Sequence, residues 1–332
     1  MSMVRFQVGN KNWSIEAEAQ LSLLDLAISR GVPVNYSCKR GDCGQCVGSL
    51  LAGTAAPIDP ARLLNGDGGI YLCNAVACND VLIELPYLPE LEGIRVLRSP
   101  CKIQELKHLS DDVLHVNVRL PPSARFEYLP GQYIRLTNRD HATRSYSLAD
   151  APGADRLLRI HVGRVKGGVL SRYLFDAAKP GDLLHLEGPM GQFILRDSIV
   201  VRKTVFLATG TGIAPIHAIL SSLDGERLRR CGDLFLYWGN RRPEDAYLRE
   251  PLQRLAQRLG MHHVEVFSRI PSGAKRQAAR HVQDLLAAHH PDLADAQVFA
   301  SGNAAMVDDA RKCALSLGLP VRKYFADSFT AS

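Results

Sequence analysis

Cys38, Cys43 and Cys46 stand in a C-x4-C-x2-C run, and Cys73 follows after 26 intervening residues. Three thiols in a short loop with a fourth far along the chain is the plant-type pattern for a [2Fe–2S] cluster. Two irons bridged by sulfides take four thiolates, so the loop must wrap tightly. Gly41 and Gly44 let the backbone adopt positive φ and bring its N–H groups close to the sulfurs. Structural zinc usually shows two C-x2-4-C pairs, and the solitary Cys73 argues against it. Disulfides are a poorer reading still, because the opening MSMVRFQVGN is polar and carries no secretory signal. Cys78, Cys101, Cys231 and Cys313 share no spacing logic and read as ordinary small residues, with Cys78 only five positions past Cys73.

Three further strings have the chemistry to hold phosphates and rings. Arg144-Ser145-Tyr146-Ser147 follows Pro130-Gly131-Gln132-Tyr133 and supplies an arginine for a phosphate and a tyrosine for an aromatic face. Four such residues also occur often by chance. Lys166-Gly167-Gly168-Val169-Leu170-Ser171 places glycines and a serine where a helix begins, a site for an anion or a plain helix start after a turn. Gly210-Thr211-Gly212-Ile213-Ala214-Pro215 lies between an apolar strand and a helix, where backbone amides can approach a pyrophosphate. It lacks the third glycine of a G-x-G-x-x-G fingerprint, so by itself it is only partial support for nucleotide binding.

The elements that must position these strings fall into three regions. In residues 1–92, Val4–Val8 and Trp13–Glu16 read as a hairpin around Gly9-Asn10. Leu21, Leu24, Ala27 and Ile28 recur at helical spacing until Gly31 and Pro33, and Val47–Leu51 and Val81–Leu85 close a β-grasp unit. Prolines 86 and 89 with Glu90–Gly93 mark a linker. Residues 98–197 carry short strands, Lys102–Leu106, Val113–Leu120, Gln132–Thr137, Ser145–Leu148, Leu157–Val162 and Leu183–Glu187, with the spacing of an antiparallel barrel. Residues 200–332 alternate strands with helices: Thr204–Ala208, Asp233–Trp238, Val264–Phe267, Gln297–Ala300 and Arg322–Phe325, the mark of a parallel sheet covered on both faces. The fold class is thus α+β in three domains. A chain of 332 residues exceeds one ordinary core. With 46% hydrophobic and 22% charged residues and no apolar run near membrane length, the composition predicts no membrane span and a cytoplasmic location. The net charge of +6 is dispersed, which argues against nucleic acid.

Taken in order, the cluster loop, the Arg-x-Tyr-Ser strand and the strand-Gly-Thr-Gly-helix resemble the iron–sulfur flavoprotein reductases of the ferredoxin–NADP reductase superfamily across essentially the whole chain. The resemblance implies a ferredoxin domain, an FAD barrel and an NAD(P)H domain. It implies that Arg144 contacts the flavin diphosphate, Tyr146 stacks on the isoalloxazine and Ser147 lies near its reactive nitrogen, with Ser145 in the same strand. Lys166, Gly167, Gly168 and Ser171 match a second phosphate motif. Gly210, Thr211, Gly212 and Pro215 match the nicotinamide nucleotide loop, and Tyr237, Gly239 and Arg241 the next strand end. Gly302 and Met306 match a segment beside the nicotinamide, and Asp327-Ser328-Phe329 resembles a terminal Asp-x-Phe that puts Phe329 near the flavin. Within the superfamily the chain is most similar to the CDP-6-deoxy-Δ3,4-glucoseen reductases, through Tyr36-Ser37-Cys38-Lys39, Pro100-Cys101-Lys102, Arg119-Leu120-Pro121-Pro122 and Tyr128–Ile134. Aromatic-ring dioxygenase reductases share the architecture.

Two departures stand out. Ser301 occupies the place of the family's usual cysteine beside the nicotinamide, and Gly163 stands where relatives often carry arginine, leaving Arg164 or Lys166 for the flavin phosphates. Ser268 and Arg269, with Lys275 and Arg276, follow the third parallel strand, where they would either grip a 2′-phosphate of NADPH or form a solvated basic loop, so NADH and NADPH both stay open. The implied activity moves electrons from NAD(P)H through FAD and a [2Fe–2S] cluster to an acceptor protein. That acceptor is a pyridoxamine-dependent CDP-hexose dehydrase or, alternatively, a Rieske oxygenase component. Lys39 and Arg40 beside Cys38 suggest a basic docking face for an acidic partner. A non-enzymatic ferredoxin carrier with degenerate flavin and nucleotide domains is the rival of another class, and the intact Arg144, Tyr146, Gly210 and Gly212 argue against it.

Overall fold

The computed structural model describes residues 2–18, 21–34, 36, 39, 41, 45–62, 65–66, 69–269 and 281–329. It separates into two compact units, Met1–Glu90 and Leu91–Ser332.

In the first unit, β1 (Met3–Val8) and β2 (Lys11–Glu16) form the expected hairpin, turning at Gly9 with φ +56°. Then come α1 (Leu23–Ser29), β3 (Val47–Ala52), β4 (Ala55–Pro57), β5 (Asn65–Gly66), β6 (Gly69–Tyr71), β7 (Ala75–Ala77) and β8 (Val81–Leu85). The main sheet runs β2-β1-β8-β3-β6-β5, with β4 and β7 paired separately. Helix α1 starts where the Ser22 hydroxyl accepts the Asp25 N–H at 3.0 Å and stops before Gly31, φ +69°. Its Leu23, Leu24, Leu26 and Ala27 pack with Val4, Phe6 and Ile83. This is the β-grasp arrangement that the helix-after-hairpin pattern predicts.

The second unit begins with β9 (Leu97–Ser110), β10 (Val113–Arg119), β11 (Tyr133–Thr137), β12 (Thr143–Ser147), β13 (Leu157–Gly163), α2 (Val169–Asp176) and β14 (Leu183–Met190). The antiparallel order β12-β11-β14-β9-β10-β13 is brought toward closure by a Leu148–Ile160 bridge, as the barrel reading requires. Strand β9 is far longer than Lys102–Leu106. Its first half pairs with β14 through Pro100 and Cys101, and its second half with β10. Pro100 reads locally as a breaker because it donates no N–H, yet the strand tolerates it.

There follow β15 (Lys203–Thr209), α3 (Ile213–Ser221), α4 (Gly225–Cys231), β16 (Asp233–Asn240), α5 (Arg249–Leu259), β17 (His262–Phe267), α6 (Val282–His289), β18 (Ala296–Asn303), α7 (Ala304–Ser316) and β19 (Tyr324–Phe329). The sheet β17-β16-β15-β18-β19 is wholly parallel. Phe206, Leu236, Trp238, Phe299 and Phe325 pack on α3 and α5 in one core. Such sheets are covered on both faces, which is why the centres of β15 and β18 read as apolar runs, Val205–Ala208 and Val298–Ala300. The last strand differs from the expected Arg322–Phe325. Val321–Lys323 form a 3-10 turn, and the ladder starts at Tyr324, opposite Val298, because the charged pair Arg322-Lys323 cannot enter the buried edge that Tyr324, Phe325 and Ala326 fill. That offset carries Asp327 and Phe329 into the strand. Among the described residues, no helix is long and apolar enough to cross a membrane.

Candidate functional site

In the first unit, Cys46 immediately precedes β3 and Cys73 lies in the 3-10 turn Leu72–Asn74. The β3–β6 ladder pairs Val47 with Tyr71, and the Leu72 N–H donates to the Cys46 carbonyl at 3.0 Å, so the two cysteine segments are adjacent. Cys46 is buried, Cys73 is half-buried, and neither is in a disulfide. Cys38 and Cys43 lie outside the described residues, as does Arg40. Of the residues between them that are described, Lys39 and Gly41 have positive φ, +54° and +82°. Buried Asn74 takes the Asp59 N–H at 2.9 Å and donates to the Asp59 and Arg62 carbonyls, holding the turn beside Cys73. Lys39, expected to contribute docking charge, is exposed, with its ammonium 3.0 Å from the Asp25 carboxylate and over the Tyr36 ring.

In the second unit, β12 carries Arg144, Ser145, Tyr146 and Ser147 against β11. Arg144 donates to the Thr143 carbonyl at 2.7 Å, Ser145 is exposed, and Tyr146 packs partly on the barrel core, where burial pushes its phenol well above the usual range. The turn into α2 needs its glycines. Gly167 has φ +79°, and a Cβ on Gly168 would come within 2.6 Å of the Ser171 hydroxyl. Lys166 is exposed beside them. Arg164, the other cation near this turn, has its guanidinium over the Phe175 ring and 3.1 Å from Asp176.

Strand β15 ends in the Gly210–Gly212 turn that opens α3. A Cβ on Gly212 would sit 2.3 Å from the Ser301 carbonyl, and one on Gly302, φ +131°, 2.3 Å from the Thr209 hydroxyl. The ends of β15 and β18 are thus pressed together on bare backbone. Gly210, φ +52°, faces open space and its carbonyl accepts from the Trp238 indole at 3.0 Å. At the end of β13, Gly163 lies against Thr211, its Cβ position 3.6 Å from that methyl group, so the flavin-type barrel edge meets the nucleotide-type loop where the departure at Gly163 occurs. Asn303 caps α7 by accepting the Ala305 N–H at 2.9 Å, and Met306 and Pro215 are buried supports.

Three polar groups meet here. The Ser147 hydroxyl donates to Asp327 Oδ2 at 2.8 Å, and the β18–β19 register sets Asp327 beside Ser301. Burial pushes the Asp327 carboxyl up to about 6, against the opposing effect of the Ser147 hydrogen bond. Ser301 is fully buried, and its hydroxyl has no hydrogen-bond partner. A buried, unpaired hydroxyl is costly unless something bound pairs with it, so this end of the sheet fits a ligand with polar atoms. Phe329, two residues past Asp327, is half-buried. Asp327 is the residue that motif matching undervalued; its signal was an acid two residues before that phenylalanine.

Farther out, Arg241, Ser268 and Arg269 gather at the ends of β16 and β17. The Ser268 and Arg269 N–H groups donate to the Asn240 and Arg241 carbonyls at 3.0 and 2.8 Å, and all three side chains are exposed. Lys275 and Arg276 lie outside the described residues. Gly239 allows close packing on Thr209 and Val282. Tyr237 goes elsewhere: it is buried, with its hydroxyl 3.0 and 2.9 Å from His289 and His290.

Three family models match: a 2Fe-2S iron–sulfur cluster binding domain over residues 6–78, an oxidoreductase FAD-binding domain over 100–194 and an oxidoreductase NAD-binding domain over 206–312. The chain is 33% identical over 314 residues to the CDP-6-deoxy-L-threo-D-glycero-4-hexulose-3-dehydrase reductase of Yersinia pestis, covering 94% of each. It is 30% identical to the terephthalate 1,2-dioxygenase reductase component 2 of a Comamonas species, covering 93% of this chain and 92% of that one. Among solved structures, an Amycolatopsis cytochrome P450 reductase superposes with TM-score 0.72 at 26% identity over 99% of both chains. The ferredoxin reductase in carbazole 1,9a-dioxygenase shares the fold, with TM-score 0.68 at 23% identity over 99% and 98%. The chain is therefore an oxidoreductase that uses NAD(P)H, FAD and a [2Fe–2S] cluster. It belongs to the iron–sulfur flavoprotein reductases of the ferredoxin–NADP reductase superfamily.

Proposed function

We propose that this reductase delivers electrons to a pyridoxamine-dependent dehydrase acting on a CDP-hexose, from the cytoplasm, through domains at 1–92, 98–197 and 200–332. The whole-length likeness to the Yersinia pestis dehydrase reductase supports that acceptor, with a Rieske oxygenase component as the alternative that the Comamonas relative supports. The observation that carries the redox site is the junction of Ser147, Asp327 and the unpaired Ser301 hydroxyl. When bound, NAD(P)H supplies a hydride, the flavin accepts it and releases electrons singly, and the cluster carries them one at a time.

The chain's own residues divide that work. Arg144 offers a guanidinium to the flavin diphosphate, Tyr146 a ring face, and Lys166, Gly167, Gly168 and Ser171 a cation and the N-terminal end of a helix. Gly210, Thr211, Gly212 and Pro215 shape the nucleotide loop, with Gly239, Gly302 and Met306 packed around it. Ser147 and Asp327 would hold a proton through their hydrogen bond at a partly buried junction, where Ser301 and Phe329 would lie beside the bound rings. Arg241, Ser268 and Arg269 offer donors to the nucleotide's outer phosphate or ribose. Cys38, Cys43, Cys46 and Cys73 ligate the cluster. The test is anaerobic reduction with NADH or NADPH, followed by mixing with a purified CDP-hexose dehydrase or a Rieske oxygenase component. Rapid reoxidation by the dehydrase alone is expected. Rapid reoxidation by the oxygenase component alone overturns the acceptor assignment.

A further inference from the structure

Two hydrogen bonds cross from the barrel to the parallel sheet and bracket the place where Gly163 meets Thr211. The first joins His217 on α3, five residues past the Gly210–Gly212 turn, to the chain leaving the Arg144–Ser147 strand. Its Nδ1 is 2.7 Å from the Ala149 carbonyl and 3.2 Å from Asp150 Oδ1. A carbonyl only accepts, so Nδ1 carries the proton and donates. Burial, the largest single influence, would raise the Asp150 carboxyl, but the His217 hydrogen bond and the charges of His217, Arg159 and His161 together hold it below its usual range. The Asp150 carbonyl accepts from the Tyr128 hydroxyl at 3.1 Å, and the Ala149 N–H donates to the Arg159 carbonyl at 2.8 Å, so the acceptor side is itself held rigidly.

The second joins Tyr247, in the segment leading into α5, to His161 on β13, two residues before Gly163. Tyr247 Oη is 3.1 Å from His161 Nδ1, and the rings meet edge to face. His161 is buried and lies opposite His115 in the ladder; burial first, then His115 and His217, drives it down to about 3, so the ring is neutral at working pH. Tyr247 also packs edge-on against Trp238, the residue whose indole holds the Gly210 carbonyl. Each link runs through a buried or half-buried side chain to one side of the nucleotide loop. The barrel and the sheet fall within a single compact unit.

We propose that His217 and Tyr247 are positioning residues that hold the Gly210–Gly212 loop at a fixed distance from the Arg144–Ser147 strand, setting the rate of flavin reduction and not the affinity for either cofactor. The inference rests on the reading of those two segments as nucleotide and flavin sites. Transfer between two rigidly held rings is sensitive to displacements of an ångström, so a loosened clamp acts on the rate constant.

The test compares His217→Leu, His217→Asn and Tyr247→Phe in the flavin- and cluster-loaded protein, by anaerobic stopped flow at several NADPH and NADH concentrations. An asparagine amide can occupy the position of imidazole Nδ1 and donate to Ala149, whereas leucine cannot. His217→Leu is expected to lower the limiting rate of flavin reduction on the order of tenfold, with nicotinamide dissociation constant and flavin content unchanged, and His217→Asn to recover most of that loss. Tyr247→Phe, which keeps the ring, is expected to lower the same rate constant about threefold. A second readout needs no turnover: calorimetry of the nicotinamide-free protein should show barrel and sheet of the wild type unfolding together and those of His217→Leu separating. Equal rates for the leucine and asparagine variants, or a loss wholly in the dissociation constant, would overturn the clamp. The underlying site reading fails separately, if Arg144→Ala leaves flavin content intact and Gly210→Val leaves nicotinamide affinity intact.

Discussion

The two ends of the nucleotide half of this molecule are built on opposite electrostatic terms. At the junction of β12, β18 and β19, Ser147 and Ser301 are buried and Asp327 is half-buried, and the carboxyl is displaced upward because charge is poorly solvated there. At the ends of β16 and β17, Arg241 and Arg269 stand in solvent, where their charge is stable and screened. The buried centre can therefore hold or yield a proton and make small geometric changes costly. The exposed rim can only choose between ligands by the charge they carry.

Replacing Asp327 with asparagine should break this contrast most visibly. Removal of a positioned proton-holding group predicts a fall in flavin reduction on the order of a hundredfold, read by stopped flow. The same substitution tests burial independently of rate. Because the folded-state value of Asp327 lies above that of a free carboxyl, its ionisation costs nothing below about pH 4, and the destabilisation grows up to pH 6 and persists above it. Asp327→Asn should thus be relatively more stable than wild type at pH 7 than at pH 4, by roughly 3 kcal/mol in denaturant melts. A constant difference across pH would mean the carboxyl is well solvated.

The rim should give a smaller and selective effect. Arg269→Ala is expected to raise KM for NADPH about tenfold while moving that for NADH little, and parallel shifts for both would reduce the arginines to a solvated loop. Smallest is Ser301→Cys, which puts a polarizable sulfur in place of the unpaired hydroxyl and should speed flavin reduction about threefold without altering KM. Unchanged stopped-flow rates would remove Ser301 from the catalytic account.

Much of the site was legible because it consists of local strings. Glycines at a strand-to-helix turn and the Arg-x-Tyr-Ser strand depend on their own backbone and nearest neighbours, and Gly168 and Gly212 are places where a Cβ would meet an atom under 3 Å away. Tyr237 was misleading for the opposite reason. Its phenol reaches His289 and His290, more than fifty residues onward, and alternation along β16 gives no sign of that. The pairing of Lys39 with Asp25 likewise arises only on folding.

By itself, the sequence determined the cysteine pattern, the order of β-grasp, barrel and parallel sheet, and the glycine turns, since hydrophobic period, turn chemistry and ligand spacing act over a few residues. Tertiary structure alone decided that Asp327 reaches back across 180 positions to Ser147, that Ser301 is left without a partner, and that Gly163 faces Thr211. Those relations arise from strand register and domain packing, which sum many weak contacts along the whole chain and leave no signature in any single stretch of it.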